Sequence, residues 1–521
     1  MRLHDFFDYH ARETPGAEFA VLGDHRITYG EAAEQINQLA NAFSSTGIEN
    51  GDRVAVLSKN SIEYVLLYYA ASKVGVVPVP LNYRLASPEW AYIINDSGAK
   101  MLIASAEYVQ PAEGLRGQME TVGHLVYISD AEQPGWTDYH DWIGGRAVVP
   151  PQRSITPDDD LVQMYTSGTT GHPKGVVLTH SSLTANLVQF SPSMDFRPNE
   201  RIMIVAPLYH VAAAFIALSA NHRGASLYIY QDFDPVEVVR ALDHEKISWS
   251  FLVPAMIQAC LVAVPDVAER NYSDLRGILY GASPIAEETL RRATDAFKCD
   301  FIQAFGQTEL SPVATVLSPD DHTRALEGKP ELLLSAGRPV LGTELRIVDE
   351  DDSPVTNGTM GEILVRGPQV MKGYWNLPDE TAETLRGGWM HTGDAGTLDD
   401  EGYLYVQDRI KDMIVSGGEN VYPRAVEDVL FAHPAVADAA VIGIPDAKWG
   451  EAVKAVVALR EGASSTEEDI LEFCRGRMGG FERPKSVEFV ASLPRNPSGK
   501  VLKRELRKPY WKDQGRRVAG A

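Results

Sequence analysis

The chain has 521 residues, of which 44% are hydrophobic, and its formal net charge at pH 7 is −23. This length is more than one hydrophobic core can serve, so we expect at least two domains. The strong negative charge argues against nucleic acid as a partner, because a surface of that sign repels a polyanion.

The cysteines and the apolar stretches indicate the compartment. Cys260, Cys299 and Cys474 are widely spaced and form no CxxC pair, which is typical of a reducing compartment and argues against a disulfide framework or a zinc site. The first residues carry charges where a signal peptide would have an apolar run, and the most apolar stretch, residues 64–81, is interrupted by a lysine, a glycine and two prolines. The sequence therefore predicts a cytoplasmic protein with no integral membrane segment.

The first half of the chain alternates helical and strand patterns. Helical spacing covers residues 29–44 and 62–71. Strand patterns cover residues 53–57, 76–79, 101–104, 125–128, 161–165, 175–178, 202–206, 227–230, 249–253 and 277–280. This alternation predicts an α/β fold whose largely parallel sheets are covered by helices.

The pattern changes in the last third of the chain. Residues 341–407 contain short strands and turns, which predicts a small β-barrel-like subdomain. Beyond residues 408–411, the apolar runs 439–444 and 455–459 predict a separate small sheet. We therefore expect a large N-terminal domain, residues 1–408, and a small mobile α/β domain, residues 409–521, joined by a short hinge near 408–411.

Residues 166–175 read TSGTTGHPKG and have the composition of a phosphate-binding loop. The glycines allow the backbone to bend into a concavity whose N–H and O–H groups point inward, and Lys174 adds positive charge. The hydroxyl and glycine residues of the loop are Thr166, Ser167, Gly168, Thr169, Thr170, Gly171 and Gly175. The loop differs from the P-loop pattern, in which a Lys-Ser/Thr pair opens a helix. It predicts a clamp for nucleotide phosphates between two strands.

Seven further motifs follow in order along the chain. They are PLYH (207–210), YGASP (280–284), AFGQTE (304–309), GEILVRGPQVMKGYW (361–375), HTGD (391–394), DRIKDMIVSGGENVYP (408–423) and PRNPSGK (494–500). Together with the loop, they resemble the adenylate-forming superfamily, which includes acyl-CoA synthetases, firefly luciferase and peptide-synthetase adenylation domains. The resemblance spans nearly the whole chain. It implies an ATP-dependent carboxylate–CoA ligase that forms acyl-AMP and transfers the acyl group to CoA, releasing AMP and pyrophosphate.

The same resemblance implies the residues that bind ATP and Mg²⁺. Glu309 and Thr166 hold the metal, Thr308 contacts the α-phosphate, and Lys500 reaches the α-phosphate and the carboxylate during adenylation. Phe305, where most relatives have tyrosine, keeps the surface that stacks on adenine, and Asp394 and Arg409 bind the ribose. The predicted nucleotide-binding set is Thr166, Ser167, Gly168, Thr169, Thr170, Gly171, Lys174, Gly281, Ala282, Ser283, Ala304, Phe305, Gly306, Gln307, Asp394, Arg409 and Lys500, and the predicted catalytic set is Lys500, Thr308, Glu309 and His210.

A second group of residues is implied for the transfer to CoA. The small domain is expected to rotate about Lys411 and present another face. Its predicted CoA-binding residues are Ser416, Gly417 and Gly418 for the pantetheine arm, and Lys448 and Trp449, beside Pro445, for the nucleotide. Trp449 could equally well be a buried residue in the core of the small domain.

The predicted acid pocket is apolar. Its residues, His210, Val211, Ala212, Phe215, Ala304 and Gly306, include no arginine or lysine that could pair with a second carboxylate. We therefore expect a medium or long fatty acid or an aryl acid, which the sequence does not distinguish. A stand-alone enzyme that loads a carrier protein, a luciferase-like oxygenase and a non-catalytic sensor remain alternatives, although a sensor has no need of Lys500. The expected partners are the acid, ATP and CoA, and a homodimer remains open.

Overall fold

The computed structural model describes residues 1–129, 132–166, 173–281, 285, 287–417, 419–446, 448–495 and 501–511. The chain divides into two compact units, one comprising Met1–Glu344 and Val365–Met390, the other Leu345–Leu364 and His391–Ala521. This division groups most of the β-rich stretch with the C-terminal residues, and the segment 408–411 lies inside the second unit. The function of that segment as a hinge stays a prediction.

A nine-stranded sheet forms the centre of the first unit. In spatial order its strands are Arg338–Pro339, Val313–Leu317, Asp300–Gly306, Gly277–Gly281, Trp249–Phe251, Arg201–Ile204, Ser226–Ile229, Glu18–Leu22 and His25–Thr28. The six strands from Asp300–Gly306 to Glu18–Leu22 pair in parallel, and antiparallel strands flank them on both sides. The predicted α/β fold with parallel-rich sheets is confirmed.

Two smaller sheets complete the first unit. One is wholly parallel, in the order Val77–Pro80, Arg53–Leu57, Met101–Ser105, His124–Ile128 and Thr137–Asp138. The other is antiparallel, in the order Gly373–Tyr374, Lys174–Thr179 and Asp160–Thr166. This antiparallel sheet holds both ends of the predicted phosphate loop.

Helices cover the sheets and have recognisable start and stop signals. The helices of the first unit are Leu3–Glu13, Tyr29–Ser45, Ile62–Val74, Ser87–Ser97, Ala106–Glu113, Tyr139–Ile143, His180–Phe190, Val211–His222, Pro235–His244, Pro254–Ala263, Glu287–Phe297, Pro319–Glu327 and Pro378–Thr384. Tyr29–Ser45 begins at a capping box in which Thr28 and Glu31 satisfy each other's backbone N–H groups. Ile62–Val74 ends at Gly75, whose φ of 75° suits glycine.

The second unit contains two sheets and three helices among its described residues. The β-rich stretch forms a four-stranded sheet in the order Glu344–Val348, Gly361–Arg366, Met390–Leu398 and Leu404–Arg409. This is an open order and not a barrel, because four strands are too few to close around a core. The other sheet has the order Glu419–Val421, Ile414–Ser416, Gly450–Leu459 and Val436–Asp446, with Ser486–Phe489 added beside Gly450–Leu459, and the helices are Pro423–Phe431, Glu467–Cys474 and Lys503–Arg507.

Candidate active site

The phosphate loop joins the two strands of a β-hairpin. Asp160–Thr166 pairs antiparallel with Lys174–Thr179, and Thr166 lies opposite Lys174. A Cβ on Gly175 would lie 2.8 Å from Gln163 Nε2 and 3.1 Å from the Tyr165 ring, so a larger residue there would require these side chains to move. The predicted ligands Ser167, Gly168, Thr169, Thr170 and Gly171 lie outside the described residues.

A third strand fixes the far side of this hairpin. Tyr374 pairs with Val176, and Gly373 pairs with Val177. The Trp375 N–H donates to Gly175 O at 2.7 Å. The segment GYW therefore runs along the strand that leaves the phosphate loop.

The same segment reaches the predicted metal ligand. The Tyr374 hydroxyl donates to Glu309 Oε1 at 2.9 Å, and the Met371 N–H donates to Glu309 O at 2.8 Å. Lys174 Nζ lies 5.1 Å from the centroid of the Tyr374 ring, within the range of a cation–π contact. Tyr374 thus links Lys174 at the end of the loop to Glu309, although the three residues are far apart in sequence.

A buried polar network supports the hairpin from behind. The Arg53 guanidinium donates to Asp160 Oδ2 at 2.9 Å and stacks on Trp375 at 3.6 Å from the ring centroid. Tyr165 donates to Asp96 Oδ2 at 2.5 Å, and burial raises the pKa of this phenol, so it stays a donor. These contacts anchor the two strands from which the loop extends.

The carboxyl edge of the parallel sheet carries the next group of predicted ligands. Gly281 pairs with Ala304 at the ends of adjacent parallel strands, and such strand ends are where open α/β sheets bind ligands. A Cβ on Gly306 would lie 1.8 Å from Pro312 O, and one on Gly281 would lie 2.4 Å from Ala304 O. Phe305, Gln307 and Thr308 follow on this edge and are half-buried, whereas Ala282 and Ser283 lie outside the described residues.

Asn60 determines the position of His210. Its side chain accepts from the Leu208 N–H at 2.7 Å and donates to Ala206 O and Tyr230 O, both at 3.0 Å. This buried amide fixes the backbone that leads to His210, the N-cap residue of the helix Val211–His222.

The protonation of His210 follows from its contacts. His210 Nδ1 accepts from the Ala212 N–H at 3.3 Å, and burial lowers the pKa of the imidazole. A neutral ring with Nδ1 as the acceptor carries its proton on Nε2. His210 therefore offers one N–H donor near the sheet edge without adding charge.

The helix Val211–His222 divides the predicted acid-pocket residues between two environments. Val211 and Phe215 are buried and line a small apolar cavity with Met164 and Leu183. Ala212, like Ala304, is only partly buried. Because Ala212 and Ala304 retain exposed surface whereas Val211 and Phe215 do not, Ala212 and Ala304 are the better-placed candidates for contact with a bound acid.

The predicted ribose ligands Asp394 and Arg409 are partners in the second unit. They lie opposite each other in an antiparallel pair of strands, and Arg409 Nε donates to Asp394 Oδ1 at 2.9 Å. Asp394 is buried, and its N–H donates to Thr392 Oγ1 at 3.1 Å. The preceding His391 contacts Glu362 Oε2 through Nδ1 at 2.9 Å, which helps to fix the HTGD segment of the strand Met390–Leu398.

The predicted CoA-binding residues that are described lie together. The Gly417 N–H donates to Trp449 O at 2.7 Å, and a Cβ on Gly417 would lie 2.7 Å from the Trp449 ring. Lys448 Nζ lies 4.6 Å from the centroid of that ring, and Trp449 is 37% exposed, so it does not plug the core. Ser416 is buried, and Gly418 lies outside the described residues.

The structure describes the predicted hinge residue only in part and does not describe the predicted catalytic lysine. The backbone of Lys411 lies in the short 3₁₀ turn Ile410–Asp412, while its side chain lies outside the described part. Lys500 belongs to the undescribed segment 496–500. That segment is bounded by a bridge between Arg495 and Val501 and by a hydrogen bond from the Leu502 N–H to Pro494 O at 2.8 Å.

Comparison with known proteins identifies the family. The protein-family model for the AMP-binding enzyme matches residues 7–375, and the protein-family model for the AMP-binding enzyme C-terminal domain matches residues 425–500. This chain belongs to the AMP-binding enzyme family. It is 39% identical to a feruloyl-CoA synthase of an Amycolatopsis species, over 96% of this chain and 97% of that protein.

Further relatives are similar over almost their full length. A long-chain-fatty-acid–CoA ligase of Mycobacterium tuberculosis is 37% identical over 94% of both chains. A solved Mycobacterium tuberculosis fatty acyl CoA synthetase superposes with a TM-score of 0.80 and 34% identity, over 99% of both chains. As a member of this family, the chain is an AMP-forming acid–thiol ligase that uses ATP, Mg²⁺ and CoA. Among the described residues, no helix combines the length and apolar character needed to cross a membrane.

Sequence reasoning missed two residues that support the candidate site of this AMP-binding enzyme. Tyr374 lies in a motif that was recognised, but its contact with Glu309 joins positions 65 apart. Asn60, which holds the PLYH segment, lies in no recognised motif and bonds across 148 residues. The tyrosine of GYW was the only sequence signal, because its apolar ring and polar hydroxyl allow it to contact two different groups.

Proposed function

We propose that this ligase activates an apolar carboxylic acid, a medium or long fatty acid or an aryl acid, in the cytoplasm. The observation that best supports nucleotide activation is the link from Lys174 through Tyr374 to Glu309, which connects the loop end to the acidic residue of AFGQTE. The names of the relatives, a feruloyl-CoA synthase and a fatty-acid ligase, support an apolar acid. Three free cysteines support the reducing compartment.

The described residues fit Mg²⁺ and a triphosphate. Glu309 and Thr166 offer hard oxygen ligands, and both are half-buried and therefore accessible. At Gly306 a Cβ would collide with Pro312 O, so the two backbone segments approach each other more closely than any side chain would allow. When bound, the ion would neutralise charge on the phosphate oxygens.

In the first step, an oxygen of the acid attacks the α-phosphorus of ATP. A new P–O bond forms while the bond to pyrophosphate breaks, so negative charge develops on the α-phosphate oxygens. Thr308 and Lys500 are the groups proposed to stabilise that charge. His210 would contribute its Nε2–H as a neutral donor, which orients the carboxylate and lowers its nucleophilicity less than an imidazolium would.

In the second step, the thiol of CoA attacks the carbonyl carbon of the acyl adenylate. A C–S bond forms, the bond from carbon to the AMP oxygen breaks, and the thiol proton leaves to solvent or AMP. The surface formed by Gly417, Lys448 and Trp449 is the proposed contact for CoA, because an exposed indole and a cation suit adenine and phosphate.

A panel of acids tests this proposal. The parent enzyme is given ATP, Mg²⁺, CoA and straight-chain acids from acetate upward, together with cinnamate- and benzoate-type acids and malonate, and AMP and thioester are quantified. Each buried methylene contributes about 0.8 kcal/mol, so kcat/KM should rise about fourfold per carbon until the pocket is full. A preference for acetate or malonate would contradict the apolar pocket, and no AMP with any acid would contradict the ligase activity.

Two further experiments test the acid pocket and the acceptor separately. Ala212→Phe should lower kcat/KM for the best acid more than for propionate, because Ala212 is partly exposed at the start of its helix. Val188→Phe, at an exposed position, is the matched control. Replacing CoA with a phosphopantetheinylated carrier protein tests the other acceptor, and faster transfer to the carrier would favour a loading enzyme.

A further inference from the structure

Tyr374 connects the two ends of the candidate triphosphate site. Its backbone is fixed on both sides, because the Tyr374 N–H donates to Thr381 Oγ1 at 2.9 Å and the residue pairs with Val176 in the hairpin. Its position is therefore set by the same strand that begins at Lys174. The backbone at Tyr374 therefore has few ways to move without breaking these bonds.

The hydroxyl restrains the carboxylate of Glu309. A phenol that donates to Oε1 at 2.9 Å fixes the rotation of the carboxyl group and occupies one of its oxygens. The main-chain bond from the Met371 N–H to Glu309 O, 2.8 Å, holds the same residue from the backbone. Glu309 is thus held at two points by the segment 371–374.

The ring of Tyr374 restrains the lysine at the end of the loop. Lys174 Nζ lies 5.1 Å from the ring centroid, so the face of the phenol attracts the ammonium group. One side chain therefore contacts both a cation suited to phosphate and an anion suited to a metal. Because Lys174 and Glu309 attract opposite charges of the same ligand, their spacing determines how the metal–phosphate complex fits.

We propose that Tyr374 is a positioning residue for Mg·ATP, acting through Glu309 with its hydroxyl and through Lys174 with its ring. This inference rests on the proposed function, because it assumes that Glu309 and Lys174 face Mg·ATP. It predicts that loss of the hydroxyl weakens the interaction with the metal, while loss of the ring also weakens the interaction with the phosphates.

The decisive variant is Tyr374→Phe, which keeps the ring and removes the hydroxyl. Binding of Mn²⁺ in the presence of ATP, followed by electron paramagnetic resonance, should weaken about tenfold, the loss expected for one charge-assisted hydrogen bond. The Mg²⁺ concentration that half-saturates acid-dependent ATP–pyrophosphate exchange should rise by a similar factor. The KM for the acid should not change.

Two comparisons separate positioning from general damage. Tyr228→Phe removes another tyrosine hydroxyl that donates to a glutamate Oε1 at 2.9 Å, that of Glu18, and should leave metal binding unchanged. In a Glu309→Gln background, Tyr374→Phe should have less than a twofold further effect on metal binding, because the residue acts through Glu309.

Each outcome decides the inference. Unchanged Mn²⁺ binding in Tyr374→Phe, or an undiminished effect in the Glu309→Gln background, would overturn it. If the parent binds Mn·ATP but no acid supports exchange, the proposed function is wrong. The Mn²⁺-binding measurements still test the role of Tyr374 in that case. If the parent binds no Mn·ATP at all, both are wrong.

Discussion

Lys503 Nζ lies 3.2 Å from Asp408 Oδ2, so the helix Lys503–Arg507 is bonded to the residue at which the predicted hinge begins. Glu427 Oε1, 2.9 Å from the same ammonium, completes a buried cluster. Burial acts to lower the pKa of Lys503, but the carboxylates of Glu427 and Asp408 outweigh it and raise the pKa overall. Arg507 pairs with Asp412 at 2.8 Å, so the helix contacts both sides of Lys411.

The two ion pairs should respond differently to rotation at Lys411. Asp408 precedes Lys411 and Asp412 follows it, so rotation there would break the pair with Lys503 and preserve the pair with Arg507. Asp408→Asn should change the ratio of the acyl-adenylate formation rate to the thioester formation rate by about fivefold. Single-turnover assays of each half-reaction measure this ratio.

Asp412→Asn is the matched control for this prediction. It removes the other carboxylate that contacts the same helix, and it should lower the thermal midpoint without changing the ratio of half-reactions. Equal changes of the ratio in both variants would place the pivot elsewhere.

Buried histidines should make the enzyme unstable in acid. His322 Nε2 contacts the Tyr280 hydroxyl at 2.9 Å and His322 Nδ1 contacts Ser318 O at 2.8 Å, so the neutral ring donates through Nδ1 and accepts through Nε2. Burial lowers the pKa of His322 to about 4, below the ordinary value of 6.5. The neutral ring of His322 therefore makes its full contribution to the free energy of unfolding above about pH 6.5. As the pH falls towards 4, this contribution is lost, which lowers the free energy of unfolding by at most about 3 kcal/mol.

Urea unfolding at about pH 7.5 and about pH 5 tests this sign. His322→Gln should be less stable than the parent at the higher pH, and it should lose less stability on acidification. His25→Gln, at an exposed position, should keep the pH dependence of the parent. A parent whose urea midpoint rises on acidification would contradict the assignment.

The extent to which the sequence predicts this molecule depends on the distance over which its contacts act. Local patterns gave the strand Arg53–Leu57 with its observed bounds and the alternation that predicts parallel sheets. They overextended the strand at Trp249–Phe251, because Val253 is already the N-cap of a helix that begins at Pro254. The pairing of Glu18–Leu22 with Ser226–Ile229 joins segments some two hundred residues apart and has no local signal.

The candidate site follows the same rule. Motifs predicted Glu309, Asp394 and Arg409 as separate ligands by resemblance, but side-chain contacts such as that between Arg409 and Asp394 require the fold. Lys503 and Arg507 are local positive charges in the sequence, but their pairing with Asp408 and Asp412 bridges 95 residues in each case. Pairing of this kind follows from topology, which one sequence does not encode in any local window.

Gly306 should tolerate no side chain. A Cβ there would lie 1.8 Å from Pro312 O and 3.1 Å from Ala314 N, both backbone atoms that cannot move aside locally. Gly306→Ala should destabilise the protein by about 3 kcal/mol, at the upper end of overpacking costs, and weaken ATP binding. Gly117→Ala, where a Cβ meets no atom within 4 Å, should stay within about 0.5 kcal/mol of the parent. Equal thermal midpoints for both variants would show that the strand relaxes.

Lys500→Ala should separate the two half-reactions. If the lysine contacts only the adenylation transition state, its removal should lower acyl-adenylate formation by two to three decades, which corresponds to about 2.7 to 4 kcal/mol. Transfer from supplied acyl adenylate to CoA should stay within about twofold of the parent, because that step uses another face of the small domain. Lys448→Ala should show the opposite pattern, since Lys448 lies over the exposed ring of Trp449. Rapid-quench measurement of acyl adenylate and thioester distinguishes these cases, and equal losses in both steps of the Lys500 variant would contradict a mechanism with two conformations.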